Sequence, residues 1–345
     1  MVVVKTRLTT ACAAALLLWP VLAGTAFAQR DILSLYGGEN RGTAGAQFLR
    51  LPVGARGIAL GQAYTASATD GSAPFWNPAG LMRTPARRNF FLSHTEYAAG
   101  IALDHVAWHW RGQNFGYGLM AGMLRSGDIP RTTELHQEGT GQTFRADQYF
   151  LGATLARSMT DRFSIGGTVK YYQENLDDFE VRALLMDLGI LYYVGYGDMR
   201  IGFSVRNFGS DLAPGGTPPA LPAGYQQTSE FQSFPAPTSG SFGVAHTLPL
   251  ASRIGLLLAA DFNHPSDYSE SFRLGGELGL DERLFLRGGF ETNRDEGGLA
   301  AGFGVKTGMD GFDLRLDYAV RDMGSFGTMH HVSIDISPLF GRKPR

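Results

Sequence analysis

Residues 199–206 read Met-Arg-Ile-Gly-Phe-Ser-Val-Arg, and this stretch shows the pattern on which the fold prediction rests. Its apolar side chains alternate strictly with polar side chains or glycine. Because successive side chains of a β-strand point to opposite faces, the stretch predicts a strand with one apolar and one polar face. The same two-residue period recurs in residues 163–171, 272–280 and 313–320.

Repetition of this pattern predicts an all-β fold. Strands are expected at residues 87–97, 100–111, 114–124, 145–157, 161–173, 182–194, 198–207, 239–248, 252–263, 272–280, 283–291, 298–307, 312–320 and 328–336. Tight turns are expected at 113, 158–160, 195–197, 249–251, 281–282 and 308–311, and longer links at 125–144, 174–181, 208–238, 264–271, 292–297 and 321–327. An even strand count with alternating short and long links is typical of bacterial outer-membrane barrels. We therefore predict a transmembrane antiparallel β-barrel of about 14 strands, with both termini on the short-turn, periplasmic side.

The charged residues decide which face meets lipid. In the later strands the apolar face carries no charge, and the opposite face carries Arg200, Arg206, Arg253, Asp261, Arg273, Glu277, Arg287, Glu291, Lys306, Asp313, Arg315, Asp317 and Asp335. An Arg or Lys on the lipid face costs roughly 2–4 kcal/mol at mid-depth. We therefore expect the charges to line a polar lumen. A soluble β-sandwich would give the same alternation, but the regular links and an export signal favour the barrel.

The first residues have the features of a cleavable export signal. Lys5 and Arg7 precede an apolar stretch at 11–22, and Ala26-Phe27-Ala28 fits a signal-peptidase site. Residues 1–28 are therefore predicted to be removed; a short membrane anchor is the alternative. The single cysteine, Cys12, lies within this signal, so we expect no disulfide and no cysteine-based metal site in the mature chain.

Composition excludes two further classes. The chain has 30 basic and 32 acidic residues, a balance that argues against a nucleic-acid surface. After the signal, no apolar run approaches the ~20 residues of a transmembrane helix. We predict no cofactor, and outer-membrane lipid is the expected environment.

Residues 29–86 do not follow the strand rhythm and are rich in glycine and alanine. We predict that they form a plug inside the barrel at 87–340, with a short basic tail at 341–345. About fourteen strands enclose more space than wall side chains can fill, since ~8 strands already give a filled interior.

Within this segment a series of motifs is recognisable: Gly42-Thr-Ala-Gly45-Ala-Gln47-Phe48, Gly54-Ala55-Arg56-Gly57, Gly61-Gln-Ala-Tyr64 and Phe75-Trp-Asn77-Pro78-Ala79-Gly80-Leu81. Together they resemble the N-terminal signature of the PorV/PorQ family, and Asn-Pro-Ala-Gly-Leu is also similar to an element of the wider FadL group. The resemblance implies a fourteen-stranded barrel with an N-terminal plug.

The Asn77–Leu81 motif also has a physical interpretation of its own. Pro78 lacks an N–H and restricts Asn77 to an extended conformation. Asn77 is then free to bond nearby backbone, and Gly80 is expected to adopt a positive φ. We predict a fixed turn that joins plug to wall; a ligand contact by Asn77 is the alternative.

The resemblance implies two functions. PorV-like proteins bind secreted cargo proteins and deliver them to subunits of the type IX secretion machinery, and this is the first expectation. FadL-like proteins pass hydrophobic small molecules across the outer membrane, and this is the alternative. Transport predicts an apolar path, and the lumen-facing candidates are Leu103, Phe150, Leu185, Leu191, Tyr193, Leu257 and Phe285; packing against the plug would explain them equally.

No sequence motif indicates an enzyme. A nucleophile elbow, a P-loop and a zincin motif are all missing. His105 and His109 share a strand face but would lie ~13 Å apart, too far to share one metal ion. His330 and His331 are predicted to be rim residues, and Phe340 is a candidate signal for membrane insertion.

Overall fold

A computed structural model describes residues 41–97, 100–216, 231–294 and 297–338. Within these residues the chain forms a closed antiparallel β-barrel of fourteen strands, which confirms the predicted fold class. The strands are β1 Arg88–Glu96, β2 Ala102–Arg111, β3 Phe115–Arg125, β4 Ala146–Ser158, β5 Phe163–Leu176, β6 Phe179–Tyr193, β7 Arg200–Gly209, β8 Ser239–Ala251, β9 Ile254–Pro265, β10 Ser271–Leu280, β11 Leu284–Glu291, β12 Leu299–Met309, β13 Phe312–Asp322 and β14 Thr328–Pro338. Each begins and ends within about three residues of its prediction, as sequence patterns allow.

Each strand pairs with the next along the chain, and β1 closes the barrel against β14. In that closing pair Phe90 lies opposite Ile336 and Glu96 lies opposite His330. Closure leaves none of the fourteen barrel strands at an unpaired edge, which a barrel in lipid requires because hydrocarbon offers no hydrogen-bond partners.

Two predicted connections are wrong. The long link at 174–181 is instead a tight turn, because β5 continues to Leu176 and β6 begins at Phe179. Backbone pairing continues there although the apolar alternation has ended, and polar side chains such as Glu180 and Arg182 contact each other along the strand. The turn expected at 249–251 lies at 252–253, so Arg253 is in a turn with its side chain 76% exposed, not in the lumen.

The solvent exposure of the side chains distinguishes the outer from the inner face of the wall, in the way that the positions of the charged residues predicted. Large apolar side chains such as Leu119, Leu188 and Leu286 are more than half exposed on the outside. The inward charged residues Arg273, Glu277 and Arg287, in contrast, are buried. The outer face of the wall is therefore apolar, and the charged side chains of the strands point inward.

The N-terminal segment, described from residue 41 to residue 86, lies within the barrel. It contains short helices at Gln47–Arg50, Ala55–Ala59, Ala73–Trp76 and Pro78–Arg83. Arg41 donates to Ser269 in the link after β9, at the end of the barrel with the long links. Arg83 donates to the carbonyl of Asp161 in the turn after β4, at the opposite end. The segment therefore runs through the length of the barrel.

Several predictions fall outside the described residues: the export signal, the start of the mature chain, Phe340 and the basic tail. Among the described residues, no helix is long and apolar enough to cross a membrane.

Candidate functional site: the barrel interior

Apolar side chains join the N-terminal segment to one side of the wall. Phe48, Leu60, Phe75 and Trp76 of the segment belong to one buried cluster with wall residues. The ring of Phe48 lies 5.8 Å from that of Phe150, and the ring of Phe75 packs edge-on 6.2 Å from it.

The residues considered for an apolar path take part in this packing. Leu103, Phe150, Leu185 and Leu257 belong to the buried cluster, and Leu191 is buried too. The guanidinium of Arg83 covers the ring of Tyr193, and that of Arg315 covers Phe285. These side chains pack against the segment and its neighbours.

A belt of ion pairs joins the segment to the opposite side of the wall. Arg56 donates from Nε to Oε2 of Glu277 at 2.8 Å and from Nη2 to Oε1 at 2.7 Å. Arg287 donates to Glu277 at 2.6 Å and also pairs with Asp317 at 2.8 Å. Arg315 lies 3.0 Å from Asp317. The bidentate geometry of Arg56 and Glu277 is the strongest form of such a contact.

Asp70 completes the belt from within the segment. It accepts hydrogen bonds from the Tyr64 hydroxyl and from Ser72 Oγ, and it lies 3.4 Å from Arg56. Burial alone would raise the pKa of Asp70, but the guanidinium groups of Arg56 and Arg315 outweigh that effect and lower the pKa below its usual value. Asp70 therefore stays ionised at neutral pH.

Wall carboxylates also accept bonds from the segment backbone. Asp261 accepts the N–H groups of Tyr64 and Thr65 at 3.0 and 2.8 Å, and Asp335 accepts that of Gly71 at 2.8 Å. These acceptors satisfy backbone donors that lie away from water and outside regular structure.

The Asn77–Leu81 motif lies where the segment meets β5 and β6. Asn77 is extended, fully buried and caps the helix Pro78–Arg83 by accepting the N–H of Ala79. Its Nδ2 donates to the carbonyl of Thr65 at 2.9 Å and to that of Ile190 in β6 at 3.0 Å. One side chain thus bonds the turn, the preceding segment and the wall.

Glycines of the wall allow this turn to approach closely. A Cβ at Gly189 would lie 2.1 Å from Asn77 Oδ1, and one at Gly166 would lie 2.5 Å from the carbonyl carbon of Pro78. Ala79 accepts a bond from Ser164 Oγ, and Leu81 packs on Gly116.

The expected positive φ of Gly80 is wrong. Gly80 lies in the helix Pro78–Arg83 and does not adopt a positive φ. Its lack of a side chain is needed because a Cβ there would lie 2.0 Å from the carbonyl oxygen of Ala68.

The earlier signature residues spread along the segment. Gln47 donates to Asp267 at 2.7 Å, while the N–H groups of Gly42 and Gly45 donate to carbonyls of Asp267 and Pro235. These contacts hold the segment at the long-link end.

Gly54 and Gly61 flank the short helix Ala55–Ala59, and both have positive φ values, 85° and 61°. The N–H of Ala55 donates to Ser333 of β14 at 3.2 Å. A Cβ on Gly61 would lie 2.3 Å from the backbone nitrogen of Phe290, so the segment touches the wall here.

The histidines do not form a metal site. His105 is buried and stacks on Phe48 with ring centroids 5.8 Å apart, and His109 is buried as well. His330 and His331 lie near the start of β14 and on opposite faces, as predicted; His331 is buried and shares a hydrogen bond of 2.8 Å with Thr95. Within the described part of the chain, no cluster of three histidine, cysteine or acidic residues is arranged to hold a metal ion.

The segment leaves space at each end of the barrel. A cavity of about 490 Å³ lies at the long-link end, and one of about 790 Å³ lies at the short-turn end. Arg294 and Arg321 line the first cavity, and sequence analysis missed both because they fell within predicted links. It also missed Asp70, which nothing in its local sequence distinguishes.

Comparison with known proteins gives a match of fold. No protein-family model and no curated protein matches the chain. Among solved structures, the Ralstonia pickettii toluene transporter TbuX is 15% identical with a TM-score of 0.52, and the match covers 82% of this chain and 96% of that one. The P. putida toluene transporter TodX is 12% identical with a TM-score of 0.52 over the same shares. The CymD monoaromatic hydrocarbon channel is 13% identical with a TM-score of 0.51, again over 82% and 96%.

These similarities define the class of fold. The chain has the architecture of FadL-type barrels. The finer resemblance to PorV/PorQ finds no counterpart in these three structures, whose names all refer to hydrocarbon transport.

Proposed function

We propose that this protein is a passive channel of a bacterial outer membrane, which admits hydrophobic or amphipathic small molecules. The outward apolar face meets lipid, the lumen carries the solute, and the N-terminal segment serves as the plug that keeps the lumen closed at rest. Similarity in fold to hydrocarbon channels supports this function over the secretion role. The secretion role rests on the sequence resemblance alone.

One observation carries the proposal: the segment fills the middle of the barrel and leaves a cavity at each end. A solute can therefore reach the segment from the long-link side but cannot pass unless part of the segment moves. Passive transport needs no catalytic group, and a buried movable obstruction is sufficient to gate it.

The segment is held unevenly, which indicates the part that moves. Residues 54–84 are almost all buried and bond the wall through Arg56, Asn77 and several backbone amides. Residues 41–52 are more exposed, and their side-chain bonds to the wall, among them those of Gln47 and Arg50 to Asp267, are only part-buried. Regions with fewer buried contacts open at lower free energy. We therefore expect the movement that opens the segment to begin at residues 41–52, and we call these residues the gate.

A reversible cross-link tests this gate. A Cβ on Gly45 would lie 3.8 Å from Cβ of Leu212, within the range of roughly 3.5–4.5 Å that a disulfide requires. The only native cysteine, Cys12, lies in the predicted signal, so no other thiol competes. Toluene uptake is measured in whole cells of a diderm host that lacks its own hydrophobic channel, because simple lipid vesicles are permeable to toluene.

We expect the Gly45→Cys/Leu212→Cys protein to lose uptake when oxidised and to regain it after reduction. Gly45→Cys alone, oxidised in the same way, is the matched control and should transport normally. Wild-type uptake by fully cross-linked protein would show that residues 41–52 are not the gate. If the native protein confers no uptake, and secreted proteins with a common C-terminal domain co-purify with it, the secretion role replaces the proposal.

A further inference from the structure

Four arginines lie close together at the short-turn end of the barrel, where the N-terminal segment leads into β1. Arg83 and Arg87 precede β1, Arg88 begins it, and Arg111 ends β2. The N–H of Arg111 donates to the carbonyl of Arg87 at 2.7 Å, and its Nη2 donates to that of Pro85 at 3.4 Å. These contacts hold the four side chains, which we call the arginine cluster, on one side of the rim.

Three members of the arginine cluster lack the carboxylate partners that the arginines of the central belt have. Among the described residues, no acidic side chain lies within ion-pair distance of Arg83, Arg87 or Arg111. Arg83 donates to the backbone carbonyls of Asp161 and Thr160. The guanidinium groups of Arg87 and Arg83 act on that of Arg111 as like charges. The cluster is therefore a region of positive potential that a bound anion would stabilise.

Another side of the same rim provides the contrast. Arg253, in the turn after β8, pairs with Asp281 at 3.4 Å, and Lys306 of β12 lies 3.7 Å from Asp313. Basic and acidic side chains balance each other there. The excess of positive charge therefore does not extend around the whole rim.

An aromatic belt on the outward face adjoins the arginine cluster. Arg88 lies opposite Trp110 in the pairing of β1 with β2, and both side chains point outward. The ring of Trp110 stacks on that of Tyr117 with centroids 5.6 Å apart, and the ring of Trp108 lies 6.5 Å from that of Phe90. Membrane barrels carry such aromatic girdles at the interfaces of the bilayer with water. The belt therefore indicates that the cluster lies at the depth of the lipid headgroups.

The two tryptophans of the belt also offer donors to a headgroup. Within the part of the chain that the structure describes, the indole N–H groups of Trp108 and Trp110 donate to no protein acceptor. Tryptophan is enriched in interfacial belts because its ring lies toward hydrocarbon while its N–H meets polar headgroups. Phe90 and Leu92 continue the outward surface above the belt and are each 46% exposed. Charge, indole donors and apolar surface thus follow one another along the wall.

We propose that the arginine cluster and the aromatic belt form a binding site for an anionic phospholipid. The headgroup phosphodiester would lie against the arginines, whose paired N–H donors suit phosphate oxygens, and the acyl chains would lie along Phe90 and Leu92. A negatively charged headgroup such as phosphatidylglycerol relieves the repulsion between the arginines more than a zwitterionic one does. An acidic polypeptide would match the charge but not the adjoining aromatic and apolar surface. The inference rests on the outward face meeting lipid and is independent of the solute.

Tryptophan fluorescence tests the inference at the site itself. Trp108 and Trp110 face outward, whereas Trp76, the other tryptophan after the predicted signal, is buried. The purified mature protein is placed in phosphatidylcholine vesicles that contain either phosphatidylglycerol or phosphatidylcholine with brominated acyl chains, because bromine quenches a tryptophan that it contacts. One arginine near an anionic lipid changes affinity by a factor of about five. We therefore expect phosphatidylglycerol to bind here at least about fivefold more strongly than phosphatidylcholine, and salt to reduce this ratio.

The double variant Arg87→Gln/Arg111→Gln removes half of the cluster and should lower the ratio at least about twofold. Arg253→Gln, with its exposed side chain on the balanced part of the rim, is the matched control and should leave the ratio unchanged. If the double variant does not form a barrel, Arg87→Gln alone replaces it, because Arg87 is exposed, and should still lower the ratio.

Equal quenching by the two lipids would overturn the inference, and so would a ratio that the arginine substitutions leave unchanged. Equal quenching, together with binding of poly-glutamate that the double variant loses, would assign the cluster to an acidic polypeptide instead. Neither result bears on uptake through the lumen, so the proposed channel function is tested separately.

Discussion

The ion-pair belt predicts that Glu277 stabilises the barrel interior more than Arg56 does. Glu277 accepts from Arg56 and Arg287 and lies 3.5 Å from Arg315. Glu277→Gln removes a charge that three guanidinium groups inside the barrel share, one of them fully buried, and breaking a buried pair in this way costs about 3–5 kcal/mol. Arg56→Gln leaves Glu277 with its other two arginines, so the cost should approach that of lost charged hydrogen bonds, about 1.5–3 kcal/mol.

The free energy of unfolding is measured by urea titration of the protein in lipid vesicles, and the double variant completes a thermodynamic cycle. Because the two side chains are in direct contact, we expect the double variant to cost less than the two single costs combined. Arg157→Gln should leave the unfolding midpoint unchanged, because Arg157 is exposed and packs on Phe115 away from the belt of ion pairs. The reasoning fails if Glu277→Gln costs no more than Arg56→Gln, or if the two costs add.

Three further predictions concern the wall and the segment. Gly189→Ala should destabilise the protein by about 1–3 kcal/mol, because its Cβ would overlap Asn77; Gly288→Ala, with nothing within 4 Å of its Cβ, should be neutral in the same urea titration. Leu119→Arg, on the outward face, should cost roughly 2–4 kcal/mol in vesicles if that position lies at mid-depth, and equal stability of this variant and Leu119→Ala would contradict a lipid-facing surface. Since the pKa of Asp70 is below its usual value, its contribution to stability is lost only as pH falls through that lowered pKa. In limited proteolysis, the difference in protection of the segment between the native protein and Asp70→Asn should therefore be the same at pH 5 as at pH 7, and a difference that shrinks at pH 5 would refute the assignment.

The alternation of residues predicted the strands because each strand shows its own two faces, and the regular links and the export signal then favoured a barrel over a sandwich. Residues 174–181 show where the alternation of apolar and polar residues stops being informative. Strand pairing continues there between polar residues, because a strand that does not face lipid needs no apolar face. The inward position of the charged side chains was predicted only from the free-energy cost of placing them against lipid. Their partners could not be predicted, because the bond between Arg56 and Glu277 joins residues 221 positions apart.

The Asn77–Leu81 motif was recognisable, but only part of its geometry followed from sequence. Proline restricts the residue before it, so the extended Asn77 was predictable. Gly80 was assigned to a positive φ because that is the usual reason for glycine in a turn. Its actual reason, contact with the carbonyl of Ala68, depends on how the segment folds back on itself. The cavity at the long-link end was missed for a similar reason, since it assembles from several separate parts of the chain.

The central claim is that the N-terminal segment closes the barrel, and ion conductance across a planar bilayer tests it directly. The full-length protein is compared with one lacking residues 41–86, and a heat-dependent shift in electrophoretic mobility verifies that each has formed a barrel. The account predicts no steady conductance for the full-length protein and a permanently open pore for the shortened one. Equal, steady conductance from both would contradict it.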